Sequence, residues 1–211
     1  MKSFLSGIAR ELVNLLPVVP AIFWAISFHE FCHGWVALRL GDPTAKEEGR
    51  LTLNPLAHFD SLGFICLLLF KFGWAKPVPI DPRYFRRPRR DMVLVSLAGV
   101  TGNILSAVLV GVAIKMLMRF APAAFYSNYG LQLVLYAFVA VNLNFAVFNL
   151  LPIPPLDGSR LLYMILPRSA LGVVHGLERW GFAVMFVLIY FGVIDRILLP
   201  VSGWALRLLF S

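Results

Sequence analysis

The sequence predicts an all-α polytopic membrane protein with four to six transmembrane helices and a small membrane-associated β-hairpin or re-entrant element. Composition is the first observation: of the 211 residues, 59% are hydrophobic and only 14% are charged, and the mean hydropathy is +0.79. The second is the recurrence of uncharged runs near the length that a bilayer core requires, about 20 helical residues. These runs cover residues 12–28, 92–114, part of 120–156, 180–194 and 197–206.

The third observation is the segment 41–82, which matches neither a membrane span nor a soluble domain. Turn-forming residues surround two short stretches, 49–53 and 76–80, whose pattern predicts β-strands. Between them the apolar run 61–70 is too short to cross as a straight helix, which favours a re-entrant element. Irregular backbone at membrane depth is tolerated where protein buries it or water reaches it, and a hydrolytic site provides that environment.

The distribution of basic residues indicates the orientation in the bilayer. A net charge of +8 is compatible with nucleic-acid binding, but 10 of the 19 Lys and Arg residues fall between Arg39 and Asp91. Five of them directly precede the run that begins at Met92: Arg83, Arg86, Arg87, Arg89 and Arg90. In a membrane protein this pattern follows the positive-inside rule, so we expect no nucleic-acid partner and place this segment on the cytoplasmic side.

Two further features bound the class of protein. Nothing near the start of the chain is typical of a removable signal peptide, and we expect one integral-membrane domain over residues 1–211. The two cysteines, Cys32 and Cys66, lie in or beside apolar segments, where small hydrophobic side chains are expected rather than a disulfide.

The chemistry begins with an HExxH motif at residues 29–33, in a helix that continues from the first uncharged run. Positions i and i+4 share one helical face, so His29 and His33 can bind one metal ion with Glu30 beside them. Ionisable groups inside a membrane cost several kcal/mol, which favours a functional role. Glu30 would take a proton from a metal-activated water and deliver it to the leaving amine. The motif therefore predicts a zinc hydrolase.

A catalytic zinc site normally has three protein ligands, so one more residue is required. Asp157 fits best, because it follows an apolar run, lies in a proline-rich bend and precedes Gly158. If the span from Met92 starts on the basic side, the next span returns and brings Asp157 to the face of the membrane where His33 lies. The residues alone leave an alternative open, since an Asp here is equally suited to cap a helix that begins near Ser159.

Two motifs together resemble a family. The HExxH motif at 29–33 and the sequence NLLPIPPLDG at 149–158 resemble the site-2 proteases, intramembrane zinc metalloproteases whose second motif is NxxPxPxxDG. Segments 41–44, 49–55 and 76–79 resemble the compact bacterial branch of that family, and we expect no PDZ-like or CBS-like domain beside this core. The resemblance spans residues 12–158 and leaves residues 159–211 as C-terminal helical segments.

The resemblance implies a function and a set of roles. His29, His33 and Asp157 would bind one Zn²⁺, Glu30 would be the general base and acid, and Asn149 would position substrate or stabilise an oxyanion. A hydrogen bond between packed helices is the alternative role for Asn149. The substrate would be a transmembrane protein or a signal-peptide remnant, cut within or near its membrane segment, in the inner membrane of a bacterial cell.

Several other polar residues remain as candidates. Residues 98–103 stand for the family's AGP-like element with Val100 where proline is usual, and Asn103 could reach the site. His58 could lie near zinc, gate water or bind another metal, or it could be a satisfied polar residue. His175 and Glu178 share a helical face without a third ligand.

Three functional hypotheses follow, all compatible with a lipid-embedded chain and with any oligomeric state. A zinc-dependent intramembrane endopeptidase is the leading one. A zinc transporter or metal sensor would use the same ligands but tolerate Glu30→Gln, and a catalytically silent scaffold would bind helices only. For the protease, strands at 49–53 and 76–80 would pair and present an edge to an extended substrate.

Overall fold

The computed structural model describes residues 16–70, 73–167 and 171–210. Its α-helices are α1 (Val19–Arg39), α2 (Thr44–Glu47), α3 (Ser61–Phe70), α4 (Pro88–Phe120), α5 (Pro122–Ser127), α6 (Tyr129–Asn149), α7 (Ser159–Ile165), α8 (Leu171–Tyr190) and α9 (Val193–Phe210). Two short 3₁₀ helices cover Pro55–His58 and Pro82–Tyr84. No strand occurs among the residues described.

Within the described part of the chain, two helices are long and apolar enough to cross a membrane, α4 with 33 residues and α6 with 21. The end of α8 and the whole of α9 give a third span if this pair, bent by 74°, is counted as one. The predicted helical membrane protein is therefore confirmed, but four to six spans are not. Helix α1 has 21 residues and falls short because His29, Glu30 and His33 lower its hydropathy.

The centre of the fold is formed by α1, α4 and α6, which pack against one another. Fully buried alanines, Ala21, Ala25 and Ala37, allow α1 to approach its neighbours closely. Trp24 adds a polar tie, since its indole N–H donates to the hydroxyl oxygen of Ser106 on α4 at 3.1 Å. An apolar cluster then joins α4, α5 and α6 through Ala107, Ile114, Phe125, Val139 and Leu143.

The start of α4 has an evident local cause. Pro88 occupies the first turn, where its missing N–H costs nothing, and the Asp91 carboxylate accepts a hydrogen bond from the backbone N–H of Arg87 at 2.9 Å. This acid also offsets part of the unfavourable placement of arginines at a helix N-terminus. Helix α4 thus begins among the exposed arginines of residues 83–90, and Arg89 and Arg90 lie in its first turn.

The predicted strands at 49–53 and 76–80 are wrong. Pro77 and Pro79 have no backbone N–H, so this segment cannot supply a ladder of hydrogen bonds. The amide of Lys76 donates instead to the carbonyl of His58 at 2.9 Å, and the amide of Val78 donates to a side chain on α1. Residues 76–81 therefore form an extended segment, the strap, that lies across α1 without pairing as a strand.

Candidate metal centre

The three predicted ligands converge. His29 and His33 lie one turn apart on α1, and Asp157 comes from the loop after α6. The Asp157 Oδ2 atom is 2.9 Å from His29 Nε2 and 3.1 Å from His33 Nε2, and the three ligand atoms lie within 4.8 Å of one another. Both imidazoles are buried, while Asp157 is partly exposed.

The loop after α6 folds back tightly to deliver Asp157. The amide of Gly158 donates to the carbonyl of Asn149 at 2.6 Å, which closes the loop on the end of the helix. A Cβ atom at Gly158 would lie 2.2 Å from the carbonyl oxygen of Leu150, so only glycine fits this turn. The N-cap residue of α7 is Gly158, with no side-chain cap. Asp157 therefore faces the histidines and does not act as a helix cap.

The outer nitrogens of the two imidazoles have defined partners. His29 Nδ1 lies 2.7 Å from Asn103 Oδ1, and His33 Nδ1 lies 2.7 Å from the carbonyl oxygen of Val95. The amide nitrogen of Asn103 is already used, since it donates to the carbonyl of Ala25 and to Asn142 Oδ1, both at 3.0 Å. Both partner atoms are acceptors, so each Nδ1 carries a proton and each neutral ring directs an Nε2 lone pair inward.

This arrangement fits a bound cation. When both rings are neutral, their two Nε2 lone pairs converge on the Asp157 carboxylate, whose Oδ2 is buried without a hydrogen bond of acceptable geometry. Three acceptors in such proximity repel one another unless a positive charge lies between them. Two histidine nitrogens and one carboxylate oxygen are a known ligand set of catalytic zinc, which leaves the fourth position for water or substrate.

Helix α4 forms the floor of the centre, and one residue there was not identified from the sequence as a site residue. A Cβ atom at Gly99 would lie 2.6 Å from Cε1 and Nε2 of His33 and 2.7 Å from Cε1 of His29. Both rings therefore rest directly on the helix backbone. The only signal in the sequence was a glycine inside an apolar helical run, within the 98–103 segment.

The other predicted residues have varied surroundings. Glu30 is buried beside the ligands, and its Oε2 accepts the Val78 amide at 2.8 Å. Asn149 is buried at the end of α6, where its side-chain nitrogen donates to the carbonyl of Phe145 at 2.9 Å. Its role in the reaction stays a prediction.

His58 is not part of the metal-binding group. It is buried, and its Nε2 lies 2.9 Å from the carbonyl oxygen of Thr52, but its Nδ1 has no hydrogen-bond partner among the described residues, so it is only partly the satisfied polar residue considered as an alternative. Cys32 and Cys66 are free, partly buried thiols. The side chains of His175 and Glu178 lie outside the described part of the structure.

Comparison with known proteins agrees with this geometry. Residues 96–191 match the sequence profile described as "Peptidase family M50". The chain is 39% identical over 180 residues to "Putative zinc metalloprotease YwhC" of Bacillus subtilis, covering 83% of this chain and 81% of that protein. It is 30% identical over 193 residues to "Putative zinc metalloprotease Rip2" of Mycolicibacterium smegmatis, covering 89% and 71%. No solved structure matches the chain.

Proposed function

Because the chain belongs to peptidase family M50, the site-2 proteases, we propose that this zinc metalloprotease hydrolyses peptide bonds within or near transmembrane segments of membrane proteins. The observation that carries the proposal is the convergence of His29 Nε2, His33 Nε2 and Asp157 Oδ2, with both Nδ1 atoms committed elsewhere. That arrangement suits a single zinc ion held by all three residues.

The proposed chemistry divides between the metal and Glu30. When bound, zinc acts as a Lewis acid that makes a water more acidic and polarises the peptide carbonyl. Glu30 then accepts the proton of the attacking water and transfers it to the nitrogen of the leaving amine. The burial of Glu30 keeps bulk water from competing for that proton.

Asn149 is the proposed electrostatic helper. A side-chain amide that donates to the developing oxyanion in a dry site is worth about 3 kcal/mol. Its position at the end of α6, at the start of the loop that carries Asp157, supports this role. To act, the amide must turn from the carbonyl of Phe145, its present acceptor, toward the substrate.

We place the site near the cytoplasmic face of a bacterial cell membrane, in a single domain whose spans are α1, α4, α6 and the bent α8–α9 pair. The arginines from Arg83 to Arg90 are exposed at the start of α4. His33 contacts the carbonyl of Val95, seven residues into that helix. At 1.5 Å per residue this is a depth of about 10 Å, shallow enough for water to reach the centre.

The test is cleavage of tagged single-span substrates by purified protein in liposomes, comparing wild type with Glu30→Gln at matched zinc content. The variant keeps the shape of the side chain and its acceptor oxygen but cannot take the proton, so we expect a fall in kcat of at least about 10²-fold. Retained cleavage by Glu30→Gln would contradict the proposal. Zinc flux that tolerates the same change would support the transport hypothesis in its place.

A further inference from the structure

The strap, residues 76–81, contacts the proposed general base through its own backbone. The N–H of Val78 donates to Glu30 Oε2 at 2.8 Å, across 48 positions of sequence. We propose that the strap is a positioning element, which holds the Glu30 carboxylate by Oε2 and directs Oε1 to the reacting water. This inference rests on the proposed function for its purpose but not for the contact itself.

The need for such a donor follows from burial. Glu30 is only 9% exposed, and a buried carboxylate without hydrogen bonds is strongly destabilised because it loses the water that would solvate its charge. A charge-assisted bond to one oxygen satisfies part of that requirement and fixes the rotation of the carboxylate plane. The other oxygen then has a defined direction, which proton transfer requires.

The sequence of the strap suits this single task. Val78 lies between Pro77 and Pro79, neither of which has an N–H to donate. A residue before proline is also restricted to extended conformations, so the backbone at Val78 is stiff. The amide of Lys76 is already bonded to the carbonyl of His58. The strap therefore offers one directed donor to the site and not the row of donors that strand addition requires.

Both ends of the strap are held by side chains that follow α1. Arg50 Nη2 donates to the carbonyl oxygens of Lys76 at 2.8 Å and Pro77 at 3.1 Å. At the far end, Oδ2 of the fully buried Asp42 accepts the amide of Asp81 at 2.8 Å. The hydrogen bonds of the Arg50 and Asp42 side chains go to the strap and to Thr44, and none of them reaches a metal ligand. They act on Glu30 only by keeping Val78 in place.

The first experiment is hydrogen exchange with mass spectrometry on the full chain in nanodiscs, which needs no substrate. Among residues 76–80 only Lys76, Val78 and Ile80 have amide hydrogens, so the Val78 signal is readily separated. We expect Glu30→Ala to speed exchange at Val78 at least about tenfold, because its acceptor is lost. Glu30→Gln keeps an acceptor oxygen and should stay within about threefold of wild type. Equal exchange in wild type and Glu30→Ala would overturn the proposal.

The second experiment separates positioning from substrate binding. Val78→Pro removes the N–H in an already extended backbone but also replaces the buried valine side chain. Val78→Ala is the matched variant, because it shortens the side chain and retains the N–H. We expect Val78→Pro to lower kcat by about 10²-fold with KM and zinc content near wild type, and Val78→Ala to restore most of kcat. A raised KM with unchanged kcat would instead indicate that the strap binds substrate, and would overturn the proposal.

Arg50→Gln provides a second route if Val78→Pro does not fold. It removes the hydrogen bonds from Arg50 to the carbonyls of Lys76 and Pro77 without changing Val78, and should both speed exchange at the Val78 amide and lower kcat. Exchange as slow as in wild type would show that Arg50 does not hold the strap. The two proposals can fail separately. Faster exchange at Val78 in Glu30→Ala, together with no cleavage of any substrate by the wild-type protein, would overturn the protease proposal alone, since the contact would stand.

Discussion

The close approach of α4 to the histidines makes Gly99→Ala the sharpest test of the metal centre. The added Cβ would lie 2.6 Å from the His33 ring, whereas real contacts essentially never fall below 3.0 Å and ordinary ones begin at 3.4 Å, so the ring must retreat by at least 0.4 Å and by 0.8 Å for an ordinary contact. Zinc–ligand distances tolerate only about 0.2 Å. His33 cannot rotate away freely either, because its Nδ1 is bonded to the carbonyl of Val95.

The size of the effect follows from that displacement. Changes to residues that merely support zinc ligands cost about 10- to 100-fold in metal affinity, so displacing a ligand ring should cost at least about 100-fold. Helix propensity works in the opposite direction, since alanine is favoured over glycine by about 1 kcal/mol within a helix. A loss of zinc therefore cannot come from weaker helix formation.

The assay is zinc retention by purified protein in competition with a graded series of chelators. Gly203→Ala in α9 is the first control, because its Cβ would meet open space and zinc affinity should be unchanged. Gly102→Ala is the second control, because its Cβ would lie 2.6 Å from Sγ of Cys32 and not from a ligand ring. Any loss of zinc that this contact causes should be reversed by adding Cys32→Ala. Gly99→Ala with wild-type zinc affinity would refute the placement of both rings on the helix backbone.

Two further changes test the surroundings of the ligands. Asn103→Leu keeps the branching and the number of heavy atoms of the side chain but cannot accept from His29 Nδ1, so zinc affinity should fall about 10- to 100-fold, measured by the same competition; an unchanged affinity would show that Asn103 does not orient the ring. Asp157→Asn should lower zinc affinity at least about 100-fold in the same competition, because a neutral amide oxygen replaces a charged ligand; an unchanged affinity would show that Asp157 does not bind the metal.

The sequence was sufficient for the part of the site that depends on local geometry. The i, i+4 spacing of His29 and His33 needs only a helix, and a helix forms there. Asp157 was different. The sequence around it is equally compatible with a metal ligand and with a helix cap, and only the resemblance to a family favoured the ligand. The structure supplies the physical distinction, because Gly158 takes the cap position and leaves the carboxylate directed at the histidines.

The strap shows where a short-range pattern misleads. Alternation and flanking turns in 76–80 favoured a strand, but the prolines at 77 and 79 were already an argument against ladder pairing. The partner of the remaining amide lies on α1, far away in sequence, and no local pattern identifies it. The count of four to six spans is not confirmed for a related reason, since His29, Glu30 and His33 reduce the hydropathy of α1, the helix that carries them.

The packing of α4 against its neighbours could not be predicted from the amino-acid composition either. Val100 occupies the place where the family usually has proline, and α4 continues unbroken through it to Phe120. Asn103 consequently stays in helical register, one turn after Gly99, and reaches His29. The identity of each residue was visible in the sequence, but the direction of each side chain depended on how three helices meet.

The two imidazoles differ in how mutation can affect them. His29 depends on a side-chain atom, Asn103 Oδ1, whereas His33 depends on a main-chain atom, the carbonyl of Val95. Every amino acid supplies a carbonyl, so position 95 carries its share of the site whichever apolar residue fits the buried space. A single amino-acid substitution at position 103 can therefore remove the partner of His29. At position 95 any substitution keeps the carbonyl that His33 contacts, and only the size of the new side chain is limited.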